Sequence, residues 1–355
     1  MNKEKGPRIA PAVLQTTVVG SYPQPSWLVY RDYLRNHLPP RVRDLGWWRV
    51  PLDQLAEAQD DATRLAIRDQ ELAGIDILSD GEQRRESYSN HFATALNGIS
   101  IDPPGQALDR TGRAVPVPRV VGPVGRHEPI AIRDVEFLRR HTDRQIKITL
   151  PGPFTVTQQA QDDYYHDDRR FALDVARALN EELRDLVAAG ADIIQLDEPY
   201  MEARPEKAFQ YGLEAFNIAL DGVQATKAVH ICCGYGHFVK DKAGKPHYAV
   251  LSALRDTDVQ QISLEAAQPQ LDPSPLADLP NKAFIYGVID LSTPEIETPD
   301  VVAQRLRTAL QYVSPDRLFP APDCGLKYLD REVAFGKLVA LVEGTRVVRH
   351  ELGLD

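Results

Sequence analysis

Hydrophobic and polar positions alternate along this chain in blocks. Short apolar runs rich in Val and Ile each close on Gly, Pro or an acidic cluster, and longer amphipathic stretches lie between them. Eight runs stand out, at 17–19, 75–78, 146–150, 193–196, 228–231, 261–264, 283–289 and 318–321. Strand-like runs alternating with helical patterns predict parallel βαβ units. The stretches 53–73, 169–188, 300–313 and 330–351 place apolar residues every three or four positions among good helix formers, and Ala189-Gly190 offers a helix stop.

Eight alternations predict an α/β chain folded as a (β/α)8 TIM barrel, with a doubly wound open sheet as the alternative. The expectation is a single domain over residues 1–355 with an insertion at approximately 97–143. There Pro103-Pro104, the polar turn Arg110-Thr111-Gly112-Arg113 and a Val-rich stretch at 115–124 read as a hairpin between the second and third barrel strands. A second long loop, 27–51, follows the first strand. Insertions on the carboxyl face of a barrel commonly shape substrate entry. Barrel active sites form at the carboxyl ends of the strands. Glu82, Asp197, Glu198, His230, Cys232, Glu265, Asp290 and Cys324 all fall there. Turn chemistry explains the Gly and Pro at those ends, but not this concentration of reactive side chains.

Composition narrows the function. Of 355 residues, 41 are Lys or Arg and 51 are Asp or Glu, a formal net charge of −10. A diffuse acidic balance argues against nucleic acid or an anionic membrane as the main partner. The polar amino-terminal stretch has no signal-peptide core and no run is long enough to span a bilayer, so a cytoplasmic protein is expected. Three cysteines exclude a disulfide scaffold and fit a reducing compartment.

Those cysteines then acquire a different meaning. His230 and Cys232 sit two apart at a strand end and so face the same side. Cys324 closes the eighth run and Glu265 the sixth. Together they offer one nitrogen, two sulfurs and one oxygen, a donor set for tetrahedral Zn2+. Cys233 alternates to the other face and reads as packing. Glu265 lies 33 residues beyond Cys232, and Cys324 lies 59 beyond Glu265, unlike the local Cys-x-x-Cys pairs of structural zinc. Two thiolates make zinc a poor hydrolytic Lewis acid and suit it to binding and deprotonating a thiol substrate.

The same positions carry a family resemblance. Thr-Val-Val-Gly-Ser-Tyr-Pro-Gln (17–24), Asp-Gly-Glu (80–82), Gly-Pro-Phe-Thr (152–155), Gln-Leu-Asp-Glu-Pro (195–199), His-Ile-Cys (230–232), Ser-Leu-Glu (263–265), Gly-Val-Ile-Asp (287–290) and Pro-Asp-Cys-Gly-Leu-Lys (322–327) follow in this order over nearly the whole chain. The set resembles the catalytic carboxyl-terminal barrel of cobalamin-independent methionine synthase, in its short single-barrel branch. The resemblance implies His230, Cys232, Glu265 and Cys324 as zinc ligands. It implies Ser21, Glu82 and Asp197, with Gly20 and Glu198 beside them, as contacts to the amino-acid part of homocysteine. Asp290 and His237 are the expected acid–base residues, with Tyr235 a further candidate acid.

Two departures fall on the methyl-donor side. Where the family stacks a tryptophan on folate, this chain has Gln159. Where the full-length enzymes carry a histidine after the Gly-Val-x-Asp motif, it has Ser292. The implied activity is zinc-dependent methylation of homocysteine in methionine biosynthesis. The donor is left open between methylcobalamin, a short folate and a carrier protein, and no donor-binding residue is assigned. Two alternatives stay open: a related thiol alkyltransferase such as epoxyalkane:coenzyme M transferase, and a metal-stabilised barrel that binds without turnover. Uroporphyrinogen decarboxylase shares the barrel type by analogy only.

Overall fold

The structure, a computed structural model, describes residues 13–110, 112–242 and 248–354. The first twelve residues, and Thr111 in the expected hairpin turn, lie outside the described residues. The described residues form ten strands: β1 (Ile77–Leu78), β2 (Asn97–Leu108), β3 (Ala114–Gly125), β4 (Gln145–Pro151), β5 (Gln161–Asp162), β6 (Ile193–Asp197), β7 (Thr226–Ile231), β8 (Gln261–Leu264), β9 (Ala283–Ile289) and β10 (Leu318–Pro322). Seven form one curled, all-parallel sheet in the order β1-β4-β6-β7-β8-β9-β10. The run expected as the first strand is reduced to one bridge. Thr17 pairs in parallel with Ile77, and its N–H donates to the Pro320 carbonyl at 3.0 Å, so this segment touches both edges of the sheet. Gly20 and Pro23 follow within six residues and leave no length for a ladder.

Side-chain alternation explains why the sheet curls around a polar mouth. Ile194, Leu196, Val229, Ile231, Ile262, Leu264, Phe284 and Tyr286 face outward into the main apolar core with the helices. Their neighbours face inward. Of these, Ile77, Ile193, Ala228, Ile285 and Ala321 cluster as an apolar floor. Two to four residues further along β6 and β7 the inward positions become Gln195, Asp197 and His230. A period of two therefore separates a helix-facing core from a lumen that turns polar toward the carboxyl ends.

The outer helices match the sequence pattern closely. Leu52–Ala73 ends on Gly74 at φ 92°. Asp168–Ala188 starts where the Asp167 carboxylate accepts the Arg170 N–H and buries Phe171, Val175, Leu179, Leu183 and Leu186. Pro299–Ala309 and Arg331–Glu351 close the chain. After β7 and β8 the described residues of the connections carry the 3-10 turns Ser252–Asp256 and Ser274–Asp278 in place of an α-helix. Among the described residues, no helix is long and apolar enough to cross a membrane.

The insertion is a hairpin. β2 and β3 pair antiparallel and β5 joins β3 in parallel. It ends at Gly125, short of the expected 143, because Ile132–His141 is a helix packed against the Leu52–Ala73 helix and β4. Buried Glu182 anchors the hairpin's far end: its carboxylate accepts the Ile130 and Ala131 N–H groups and pairs with Arg126 at 2.7 Å. The 27–51 loop packs its own small core, Leu28, Leu34, Trp47 and Trp48, against Tyr328 beside the mouth.

Candidate functional site

Three donors meet at the mouth. His230 leaves β7, Cys232 follows it two residues on, and Cys324 comes from just past β10. One donor atom from each lies within 4.8 Å of the others. The His230 Nδ1 is engaged by the Ser263 hydroxyl at 2.9 Å, which turns Nε2 toward the sulfurs, where it has no partner. The two sulfurs are 3.5 Å apart, and the Gly234 N–H donates to the Cys232 Sγ at 3.2 Å. Hydrogen bonding from Cys324 holds the Cys232 thiol well below its usual range, while that pairing with Cys232, followed by burial, pushes Cys324 well above it. A buried, unpaired imidazole nitrogen facing two sulfurs fits a thiophilic cation.

Glu265 does not join this cluster. It is fully buried beside it, with one carboxylate oxygen accepting the Cys233 N–H at 2.8 Å and the other taken by Lys242. Of the four ligands expected from the sequence, the structure brings three donors within 4.8 Å of one another and sets Glu265 beside them, paired with Lys242. Cys233 packs as expected, its thiol raised by burial.

Opposite the donors stand two acids. Glu82 and Asp197 line the same cleft as His230, Cys232 and Cys324. The Glu82 Oε1 accepts the Thr149 hydroxyl at 3.1 Å while Oε2 has no partner. Burial raises its carboxyl above the usual range. Burial also pushes Asp197 up to about 7, and the nearby Glu82 charge adds to this. Ser21 lines the cleft with its hydroxyl unpartnered. Two glycines make room. A Cβ on Gly20 would lie 2.6 Å from the Glu82 Oε1, and one on Gly325 2.1 Å from the Ser21 Oγ. Gly20 therefore shapes the cleft through what it lacks. Paired, desolvated carboxylates with a free oxygen suit an ammonium group.

Three expected residues are elsewhere. The Glu198 carboxylate accepts the Phe154 and Thr155 N–H groups at 3.0 and 2.8 Å and the Thr155 hydroxyl at 2.7 Å. It holds the start of the Pro153–Gln158 helix and is outside the cleft lining. Asp290 turns back on its own loop: its Oδ1 accepts the Ser292 N–H at 2.7 Å and its N–H donates to Glu297. His237 stacks on Tyr328 with ring centroids 5.3 Å apart, and its Nε2 meets the Arg35 carbonyl at 3.0 Å. Neither Asp290 nor His237 lines the cleft, whereas Tyr235 does.

Sequence reasoning missed Tyr88 and Arg110, which form the remaining wall. Arg110 comes from the turn of the inserted hairpin and donates to the Cys232 carbonyl at 3.1 Å. The Tyr88 hydroxyl accepts the Gln159 amide at 2.6 Å, and Arg41 lies over its ring. A lone Arg in a turn has no chemical signature; only the hairpin's position pointed to it.

A family model described as "Cobalamin-independent synthase, Catalytic domain" matches residues 14–346. The chain belongs to this family. Family membership makes it a methyltransferase. It is 34% identical over 349 residues to a methionine synthase of Thermococcus kodakarensis, covering 97% of this chain and 96% of that one. It is 35% identical over 348 residues to a methionine synthase of Saccharolobus solfataricus, covering 96% of each. Among solved structures, a B12-independent methionine synthase from Shewanella sp. W3-18-1, in complex with selenomethionine, superposes with a TM-score of 0.88. It has 36% identity and covers 96% of this chain and 99% of that one.

Proposed function

We propose that the protein methylates the thiol of homocysteine to form methionine, using Zn2+ held by His230, Cys232 and Cys324. The observation that carries this reading is the single cleft in which an orphaned imidazole nitrogen and two sulfurs face two buried carboxylates. That spacing of a thiophilic end and an ammonium-binding end matches an amino acid with a side-chain thiol. The selenomethionine bound by the Shewanella relative is a selenium analogue of the product. In this reading the Thr17 segment closes the curled sheet as the eighth stave of a (β/α)8 barrel. One domain carries the whole site, with the hairpin as its insertion.

Bound zinc supplies a Lewis acid that lowers the substrate thiol's pKa. The chain does the rest. Glu82 and Asp197 hold the α-ammonium, and the Ser21 hydroxyl and backbone receive the α-carboxylate. The substrate sulfur attacks the donor's methyl carbon, a C–S bond forms, and the bond from methyl to donor breaks. The leaving group keeps that electron pair and takes up a proton. Tyr88 and Arg110 form the wall where the donor approaches, with Gln159 behind Tyr88. A wall with a guanidinium and a phenol, and no indole, favours polar contacts over stacking. Paired acids oppose a sulfonate, which disfavours coenzyme M as the thiol.

The test is metal analysis of the purified protein, then methyl transfer to homocysteine or coenzyme M from methylcobalamin and from methyltetrahydrofolate. About one zinc per chain and homocysteine-dependent turnover are expected. Cys232→Ser should lower both metal content and turnover, the latter by about 10³-fold or more. Full activity in metal-free Cys232→Ser would end the proposal, and turnover with coenzyme M alone would reassign the thiol.

A further inference from the structure

Each acid of the cleft takes a hydrogen bond from one neutral side chain. On β4 the Thr149 hydroxyl donates to the Glu82 Oε1 at 3.1 Å. On β6 the Gln195 amide donates to the Asp197 Oδ1 at 2.8 Å. The two holders are themselves partners. Thr149 stands opposite Gln195 in the parallel register of β4 and β6, so both face the same side of the sheet. Both are buried, and neither lines the cleft. Each is fixed from behind. The Arg85 guanidinium donates to the Thr149 carbonyl at 2.7 Å and to its Oγ1 at 3.3 Å, which leaves the single hydroxyl proton for Glu82. The Gln195 amide also donates to the Val19 carbonyl at 2.9 Å, two residues before Ser21. Glycine at position 20 lets this layer close, because a Cβ there would lie 3.0 Å from the Thr149 Cγ2.

The chemistry of the holders matters. Glu82 sits at φ 54° in the Asp-Gly-Glu turn. That backbone fixes where its side chain starts but not where its carboxylate points. Arg85 offers a competing destination. Its Nε and Nη2 have no hydrogen-bond partner, and Nη2 stands 3.7 and 3.6 Å from the Asp80 and Asp134 carboxylates. A Glu82 carboxylate turned onto that guanidinium would be neutralised and lost to the cleft. The Thr149 hydroxyl stands between the two and bonds to both. A hydroxyl and an amide orient an acid without neutralising it, so both acids keep their charge for an incoming ammonium.

We propose that Thr149 and Gln195 are positioning residues, a neutral layer behind the cleft that aims Glu82 and Asp197 at the substrate's α-ammonium. This rests on the homocysteine reading above. The experiment is calorimetric titration of full-length zinc-loaded protein with two thiols. One is L-homocysteine. The other is 4-mercaptobutanoate, which is homocysteine without its amino group. Wild type is compared with Thr149→Val, Thr149→Ser, Gln195→Met, Glu82→Gln and the Thr149→Val/Glu82→Gln double variant.

Wild type should prefer homocysteine. Thr149→Val and Gln195→Met should each weaken homocysteine about tenfold while leaving 4-mercaptobutanoate within about twofold, because the lost hydrogen bond acts only through the ammonium contact. Thr149→Ser keeps the hydroxyl and should stay within about threefold of wild type for both thiols. Thr149→Val should add nothing to the loss in Glu82→Gln, since the side chain acts through that carboxylate. Equal losses for the two thiols would overturn the proposal, because a merely structural role spares neither. So would unchanged homocysteine binding in folded Thr149→Val and Gln195→Met, or a double variant weaker than Glu82→Gln by the full effect of Thr149→Val. Wild type that binds the two thiols equally would bring down the ammonium reading itself, and this proposal with it. That result is distinct from a wild type that discriminates between them and is indifferent to Thr149 and Gln195.

Discussion

The ends of β7 and β9 begin from similar material and are used differently. Each delivers a titratable side chain to the carboxyl rim of the sheet. At β7 the His230 Nε2 has no partner, and the Glu82 Oε2 and Ser21 Oγ across the cleft share that condition. At β9 the Asp290 N–H, carbonyl and Oδ1 are all engaged. Its Oδ1 takes the Ser292 N–H, its N–H goes to Glu297, and its carbonyl takes the Lys337 ammonium at 2.8 Å. Lys337 also pairs with Glu297 at 2.9 Å, so the loop after β9 is a closed network. Buried polar atoms are nearly always satisfied in native proteins. Several orphans facing one cleft mark where a ligand completes the structure, and a saturated acid marks where the structure is already complete.

The largest effect that tests this contrast is at the acid pair. Glu82→Gln and Asp197→Asn should each raise the KM for homocysteine by about 50–100-fold, the value of a desolvated charge-assisted contact. Zinc content should hold. The pH dependence has a definite sign. Asp197 binds an ammonium only when ionised, and its folded value is about 7, so homocysteine affinity should fall as pH drops through about 7. Stability runs the other way. A carboxyl whose folded pKa is raised favours the fold below its unfolded value and loses that contribution as pH rises through about 7. Metal-free Asp197→Asn should therefore be as stable as wild type or more stable at pH 8. Wild-type KM values in both variants would show that the unpartnered oxygens are not a binding site.

How far the sequence reaches can be followed along the same strands. β8 and β9 have the bounds expected from it, because their outward faces are unbroken apolar sets and their ends are punctuated. The two sulfurs and the imidazole were recognisable because spacing of two within a strand fixes a shared face. What a neighbouring segment does was not recognisable. Nothing local to Glu265 announces Lys242, which arrives from the loop beyond β7. Nothing local to Glu198 announces the Phe154 and Thr155 N–H groups that it accepts, whereas the Asp290 carboxylate is taken by the Ser292 N–H only two residues on. Arg110 reaches the cleft on a hairpin more than a hundred residues before Cys232.

Lys147 puts the contrast under strain, because it is an orphan away from the cleft. Its side chain is fully buried on β4 among inward-facing residues, and its ammonium has no partner. Burial lowers it to about 7, opposed by the charge of Asp197. A lysine with a depressed folded value destabilises the fold increasingly as pH falls from its unfolded 10.5 through about 7. Lys147→Met should therefore be more stable than wild type by about 1–2 kcal/mol at pH 6 in denaturant unfolding, with the gap closing toward pH 10.5. Parallel pH profiles for the two proteins would mean that Lys147 is compensated in solution, and the orphan criterion would then hold only at the mouth.

The smallest effect is expected at the saturated residues, and it is the sharper test for being small. Asp290→Asn keeps an oxygen for the Ser292 N–H, and His237→Gln removes a ring stacked on Tyr328 without touching the cleft. Each should leave kcat within about twofold. Stability should fall by about 0.5–1 kcal/mol, the net worth of one hydrogen bond or one ring contact. In a chain of this size that is a Tm shift of about 2 °C. If either variant lost kcat tenfold with KM and zinc content intact, a side chain held away from the cleft in the resting structure would have to turn toward the substrate during turnover. Engagement by neighbours would then be no guide to which residues at the rim are catalytic.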